Sequence, residues 1–311
     1  MDYPDWLWIP VTVWAAFAQT LRNATQRGLT SRLGTLGATL VRFLYGLPFA
    51  LLWLWLVLEY TGAQLPRTGP GFAAWVALGA LSQIAATALL LRTMQERNFA
   101  LGVAYSKTEV VQVALFAFVA LGDRVSIAAL FAIACATVGV LLLSPADKQR
   151  PLRALLRGWA AGWTAKPALL GLASGSTFAF AAVGYRGAAL SFDSATSTYL
   201  GAAALTLAAA LALQTVVLGG WLLAREPKVV AGVLREWRPS LFAGFMGAAA
   251  SAGWFTAFAI EAAANVRTLG LVELIFSYLV SLKLFREKLS AMELGGMALI
   301  ALGIVVITLG R

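Results

Sequence analysis

The chain has 311 residues, of which 60% are apolar and only 12% charged, with a mean hydropathy of +0.79, a composition that no ordinary soluble domain carries. With no histidine and a single cysteine, Cys135, it excludes His-based triads, His or Cys zinc clusters, haem attachment and any internal disulfide. The net charge of +10 does not signal a nucleic-acid partner, because the basic residues fall in short clusters between apolar runs, the pattern of loops that flank membrane spans.

In chain order, Met1 to Trp6 (MDYPDW) is acidic where a secretory n-region is basic, so the first apolar run reads as a true span instead of a cleaved signal. Apolar runs bounded by charge or by Pro and Gly fall at 6–26, 33–58, 71–91, 99–121, 125–144, 168–189, 194–223, 240–260, 265–285 and 290–310. A hydrocarbon core needs about 20 residues per helix, so these runs predict ten transmembrane helices, and the lack of sustained period-two alternation argues against a barrel. Between the fifth and sixth runs lies the longest connection, Ser144 to Pro167. Its Leu152, Leu155, Leu156 and Trp159 recur beside Arg150, Arg153 and Arg157, either as a surface-lying amphipathic helix or as a basic linker between two halves. Alternate connections carry fifteen Lys and Arg on one side and four on the other, Arg67, Arg124, Arg267 and Arg311. The basic side is expected to be cytoplasmic, with both termini outside.

Displacing the sequence by 164 residues brings Glu109 onto Glu273, Asp123 onto Glu287, Arg124 onto Lys288, Ser126 onto Ser290, Leu130 onto Leu294 and Gly139 onto Gly303. Five helices per half is an odd number, so the second copy enters the membrane inverted, the arrangement from which alternating-access transporters are built. The repeated element reads EVVQVALFAFVALGDRVS at Glu109 to Ser126 and ELIFSYLVSLKLFREKLS at Glu273 to Ser290. In these elements, in helix number and in duplication the sequence resembles the drug/metabolite transporter superfamily, and within it the ten-helix EamA-like branch. Val110 and Leu274 stand where that family usually has proline after the first acid. The resemblance implies an all-α membrane protein of two EamA-like five-helix repeats, 1–144 and 168–311, joined by the basic linker 145–167.

A carboxylate near the bilayer centre persists only when paired, protonated or facing a wet cavity. Glu109, ten residues into the fourth run, and Glu273, eight into the ninth, lie about 15 and 12 Å deep at 1.5 Å per residue. Tyr105, Ser106 and Gln112 give the fourth helix a polar face around Glu109, and Ser277 follows Glu273 by one turn. The first helix carries a polar stripe of Gln19, Arg22, Asn23 and Gln26, in which Arg22 and Gln26 could equally approach the cytoplasmic surface. The third adds Gln83 and Thr87. Arg42, nine residues into its run, needs an acid or a cavity, and Glu109 is its nearest candidate partner in depth. Lys107, two positions from Glu109 and so about 200° round a helix, is not expected to share its cavity. Asp123 and Glu287, at helix ends, read as caps or hairpin ion pairs, and Arg186 as a residue that reaches the interface.

These residues point to a secondary transporter of a small polar metabolite or drug-like solute, either proton-coupled through Glu109 or Glu273 or working by exchange. The expected substrate-binding or coupling residues are Glu109, Glu273, Arg42, Gln19, Asn23, Gln83, Tyr105, Gln112 and Ser277. Arg22, Arg42, Glu109 and Glu273 sum to zero charge, which favours a zwitterionic or polar solute. No Walker-type phosphate loop is present. No catalytic residue, metal or cofactor is expected, and the partners are a small-molecule substrate and the lipid bilayer, with no nucleic acid, for a monomer or homodimer in a bacterial cytoplasmic (inner) membrane. The alternatives are a lipid-linked carrier flippase, a non-transporting receptor or scaffold, and an intramembrane enzyme relying on the two glutamates alone.

Overall fold

The computed structural model describes residues 4–62, 65–96, 103, 106–107, 109–122, 126–143, 166–192, 198–285, 295–296, 298–299, 301–303 and 305–306. Among them the fold is all-α, with one isolated antiparallel bridge between Thr68 and Phe192. Five stretches are long and apolar enough to cross a membrane: Trp8–Thr61, Phe72–Glu96, Tyr199–Arg225, Trp237–Ile260 and Ala263–Val280. Glu109–Leu121 and Ile127–Gly139 are shorter apolar helices. The linker from 145 to 165, Tyr105, Asp123 and Glu287 lie outside the described residues.

Helix α1 (Trp8–Leu44) contains a reversal at Gly34, whose φ of 68° and ψ of 174° lie in a region that is essentially restricted to glycine. Gln26 Nε2 donates to the Ala38 carbonyl at 2.7 Å. Twelve residues of straight helix would separate those positions by about 18 Å, so the two limbs run back along each other. A one-residue reversal thus replaces the connection expected between residues 26 and 33. The second limb leads into α2 (Leu47–Thr61), which opens with a proline in its first turn, where the missing N–H removes no helical bond.

Helix α3 (Phe72–Glu96) is followed by α4 (Glu109–Leu121) and α5 (Ile127–Leu143). Ser126 Oγ accepts from the Ala129 N–H at 3.1 Å and starts α5. Next come α6 (Lys166–Leu190) and α7 (Tyr199–Gln214), the latter capped by Thr198 Oγ1 on the Gly201 N–H at 3.0 Å. A π-helical turn, Thr215–Gly219, continues α7 into α8 (Gly220–Arg225).

Helix α9 (Pro227–Arg235) is short and amphipathic, with Val233 buried and Lys228 exposed. It packs on the reversal, Val229 and Val233 facing the bare Gly37. Helix α10 (Trp237–Ile260) precedes α11 (Ala263–Leu269) and α12 (Val272–Phe285), which are separated by a break at Gly270 and Leu271.

The main helix contacts pair α1 with α10 and α3 with α6, and small residues make them close. A Cβ on Gly253 would lie 2.8 Å from Ala15 Cβ, one on Gly244 2.5 Å from the Tyr45 carbonyl carbon, and one on Gly184 2.7 Å from the Gly79 nitrogen. Without a hydrophobic drive in lipid, such close approach supplies the packing attraction that joins helices. Leu115, Phe118, Val119, Leu130, Phe131 and Phe245 are exposed on the outside, as hydrocarbon contact allows. Trp55, Tyr60, Trp221 and Trp237 are also exposed, as aromatic anchors at the interface should be.

Candidate functional site

Six charged residues are buried among those described: Arg22 at 0% exposure, Arg42 and Glu273 at 1%, Glu109 at 2%, and Lys107 and Arg267 at 6%. Ions removed from water need partners, and five of these six find them around one closed circuit. Glu273, in the first turn of α12, accepts from Gln19 Nε2 at 2.6 Å and from Asn23 Nδ2 at 3.0 Å. Lys107 Nζ lies 2.5 Å from Glu273 Oε2 and 3.7 Å from Glu109 Oε1. Arg267 Nη1 reaches the same Glu109 oxygen at 3.4 Å.

The Arg267 guanidinium also sits 4.8 Å over the Trp254 ring, a cation–π contact. Trp254 Nε1 returns to Gln19 Oε1 at 3.0 Å and closes the ring of side chains. Arg22 joins from outside, donating from Nε at 3.2 Å and Nη2 at 2.7 Å to Asn23 Oδ1. One wall of the cluster therefore comes from the polar stripe of α1, and the other from α4, α10, α11 and α12.

Three expectations change here. Arg42 does not pair with Glu109: its Nη1 donates to Thr87 Oγ1 at 3.1 Å and its Nη2 to Ser251 Oγ at 3.4 Å, because the reversal at Gly34 holds it at the α3 and α10 contacts while Lys107 and Arg267 occupy Glu109. Lys107 does share the surroundings of Glu109, since it lies in a turn ahead of α4 and the helical angle between the two positions does not apply. Arg267, assigned to an outer connection, is buried because α11 already begins at Ala263. The charge balance of the cluster changes with these placements: three cations, Lys107, Arg267 and Arg22, stand among its two carboxylates, and Arg42 is a fourth buried cation beside it.

Arg22 is fully buried and does not rise to the surface, and Gln26 is buried with it. Arg186, expected to reach the interface, donates from Nη1 to the Phe258 carbonyl at 2.5 Å. Gln83 belongs to a separate neutral network: Tyr185 Oη donates to Gln83 Oε1 at 2.8 Å, and Gln214 Nε2 donates to Gln83 Oε1 at 2.9 Å and to Tyr185 Oη at 3.1 Å. Ser277 is buried one turn beyond Glu273, its hydroxyl without a partner among the described residues. Gln112 is half-buried and no hydrogen bond joins it to the cluster. Tyr105 lies outside the described residues.

Sequence reasoning missed Lys107, Arg267, Trp254, Tyr185 and Gln214 as members of these networks. Lys107 was visible as a cation two positions before the repeated acid, Gln214 as an amide in an apolar run, and Arg267 as a cation six positions before the second copy of that acid. Trp254 carried no such signal.

Glu109 and Glu273 are enclosed by their partners, and neither lines either of two cavities bounded by described residues. One, of about 640 Å³, is apolar and lies between α1, α2, α7 and α10, with Trp14, Phe49, Trp53 and Phe245 on its walls. The other, of about 450 Å³, lies at the reversal beside α9, with Arg32, Glu226 and Lys228 among its lining residues.

No protein-family profile matches the chain, and no curated protein matches it. One solved structure, described only as "Crystal structure of protein", is similar over 95% of this chain and 94% of its own, with a TM-score of 0.59 and 16% sequence identity. At that identity the likeness is one of fold alone.

Proposed function

We propose that this chain is a secondary transporter, carrying a small polar metabolite or drug-like solute across the bilayer by alternating access. Its ten helices form the inverted repeats of an EamA-like member of the drug/metabolite transporter superfamily. The observation that carries the reading is the ring in which Glu109 of one half and Glu273 of the other meet at the Lys107 ammonium. Charged groups buried among apolar helices are expensive and mark solute or ion pathways, and a seam between the halves is where an inverted-repeat transporter binds.

Two symmetries support the duplication. Each acid stands in the first turn of its helix. The displacement of 164 also carries Thr87 onto Ser251, the two hydroxyls that accept from Arg42. On this reading the basic loops face the cytoplasm of a bacterial inner membrane, and a proton arriving on either carboxylate loosens the ring by removing an acceptor from Lys107.

The apolar cavity against α1 and α10 favours one second reading, a flippase for a lipid-linked carrier whose chain lies in that groove. Purified protein in vesicles, supplied with the solutes that change between cells with and without it, tests the first reading. Saturable flux is expected, and its absence for every such solute sinks transport. Glu109→Gln and Glu273→Gln should each abolish accumulation driven by a pH gradient while exchange persists. Full accumulation by both variants means that neither acid couples protons and that the ring is structural.

A further inference from the structure

Resting on the transport reading, we infer that the solute is an anion, held through a carboxylate or phosphate group by Arg22 and Arg42. Among the described buried charges, Lys107 and Arg267 contact Glu109 and Glu273 directly, so these four balance. The surplus is Arg22 and Arg42, and no carboxylate accepts from either among the described residues. Arg22 spends two donors on one amide oxygen, Asn23 Oδ1, and its Nη1 has no partner there. Among the described residues Arg42 donates only to the Thr87 and Ser251 hydroxyls, and its Nε has no partner.

The two arginines stand side by side. Both stems pack on Gly247, where an added Cβ would lie 3.3 Å from Arg22 Cδ and 3.3 Å from Arg42 Cγ. Two like charges held together out of water repel, and hydroxyls and an amide oxygen do not neutralise them. Their common chemistry is recognition: a guanidinium presents a planar fork of N–H donors that matches the oxygens of a carboxylate or phosphate. Arg22 Nη1 and Arg42 Nε, one nitrogen from each guanidinium, remain as donors for such oxygens, and the surplus of two positive charges accommodates up to two negative charges on the solute. Asn23, which donates to Glu273 and accepts from Arg22, links this pair to the ring. An anion drawing on Arg22 therefore pulls on the same side chain that holds Glu273.

The full chain in phosphatidylcholine nanodiscs provides the test, with its melting temperature followed at constant ionic strength. Inorganic phosphate or succinate should raise it over chloride in a saturable way, whereas choline and mannitol should not. Arg22→Gln and Arg42→Gln should each weaken the apparent affinity by more than about tenfold, while Arg42→Lys retains part of it. The ligand-free melting temperature and the helical content of each variant are recorded beside the anion response, and a variant that keeps a cooperative transition and native helicity yet loses the response has lost anion binding and not its fold.

A second arm replaces part of the phosphatidylcholine with phosphatidylglycerol. Stabilisation by that lipid alone assigns the anionic group to a lipid headgroup, and stabilisation by phosphate or succinate assigns it to a soluble solute. No response to any of the three, a response equal to that of choline or mannitol, or a response unchanged in both Gln variants overturns the inference. Anion binding is read at equilibrium and stands even if vesicles show no flux, whereas saturable flux of neutral or cationic solutes that Arg42→Gln leaves unchanged overturns the anion and keeps transport.

Discussion

Glu273 accepts from Gln19, Asn23 and Lys107, while Glu109 meets only longer contacts from Arg267 and Lys107 and leaves its Oε2 without a partner among the described residues. The two acids occupy equivalent positions in the sequence, yet they contribute unequally. Glu273→Ala strands a buried ammonium and two amides, so it should destabilise the protein by about 3–5 kcal/mol, and more than Glu109→Ala does. Thermal unfolding in detergent checks the order, and an equal or larger loss for Glu109→Ala refutes it. Replacing Lys107 by Met in the Glu273→Ala background should recover part of the loss, a coupling visible in a double-mutant cycle. Both acids and the polar stripe of α1 were legible in the sequence because a charge or amide in an apolar run has few explanations. The partners of each were not, since pairing depends on how the chain folds back: Arg42 and Glu109 share a depth but not a contact.

At the scale of helices, Gly34 and Gly184 are glycines for different reasons. Gly34 has open space around its Cβ position but a backbone that only glycine adopts readily, so Gly34→Ala should cost about 1–3 kcal/mol through the backbone alone. Gly184 is an ordinary helical residue whose Cβ would strike the Gly79 backbone at 2.7 Å, and Gly184→Ala should separate α3 from α6. Gly28, also helical and with nothing near its Cβ position, gives the opposite sign: Gly28→Ala should stabilise by about 0.5–1 kcal/mol. Melting temperatures of the three variants test the set, and a gain for Gly184→Ala or a loss for Gly28→Ala contradicts the packing described. The apolar runs were legible as helices because the period and length of such runs leave little choice. The one-residue reversal, the break at Gly270 and the surface helix α9 were not, because each is set by a local backbone geometry that average hydropathy does not report.

For the molecule as a whole, the distribution of Lys and Arg predicts which face meets the cytoplasm. With Arg267 buried in the cluster the imbalance becomes fifteen to three, so the orientation argument strengthens. In a Cys135→Ser background, Lys228→Cys on the exposed side of α9 and Arg153→Cys in the linker should resist an impermeant thiol reagent applied to intact cells and react once the cells are opened. Reaction from outside reverses the topology. The ring of side chains also bears on how the protein is made. Gln19 and Asn23 reach a partner 254 and 250 residues further along the chain, and at about 5–20 residues per second that partner emerges from the ribosome some tens of seconds later. During that interval the first limb of α1 holds an arginine, an asparagine and two glutamines with no Glu273 to receive them. Each such side chain opposes partitioning into lipid, Arg by about 2.5–3.5 kcal/mol at a helix centre. The tight turn at Gly34 gives the limb an immediate antiparallel neighbour, already bonded through Gln26 to the Ala38 carbonyl, so the insertion machinery receives a helical hairpin instead of a lone polar helix. The same residues that serve the finished cluster thus make the nascent chain dependent on a protected waiting period at the translocon.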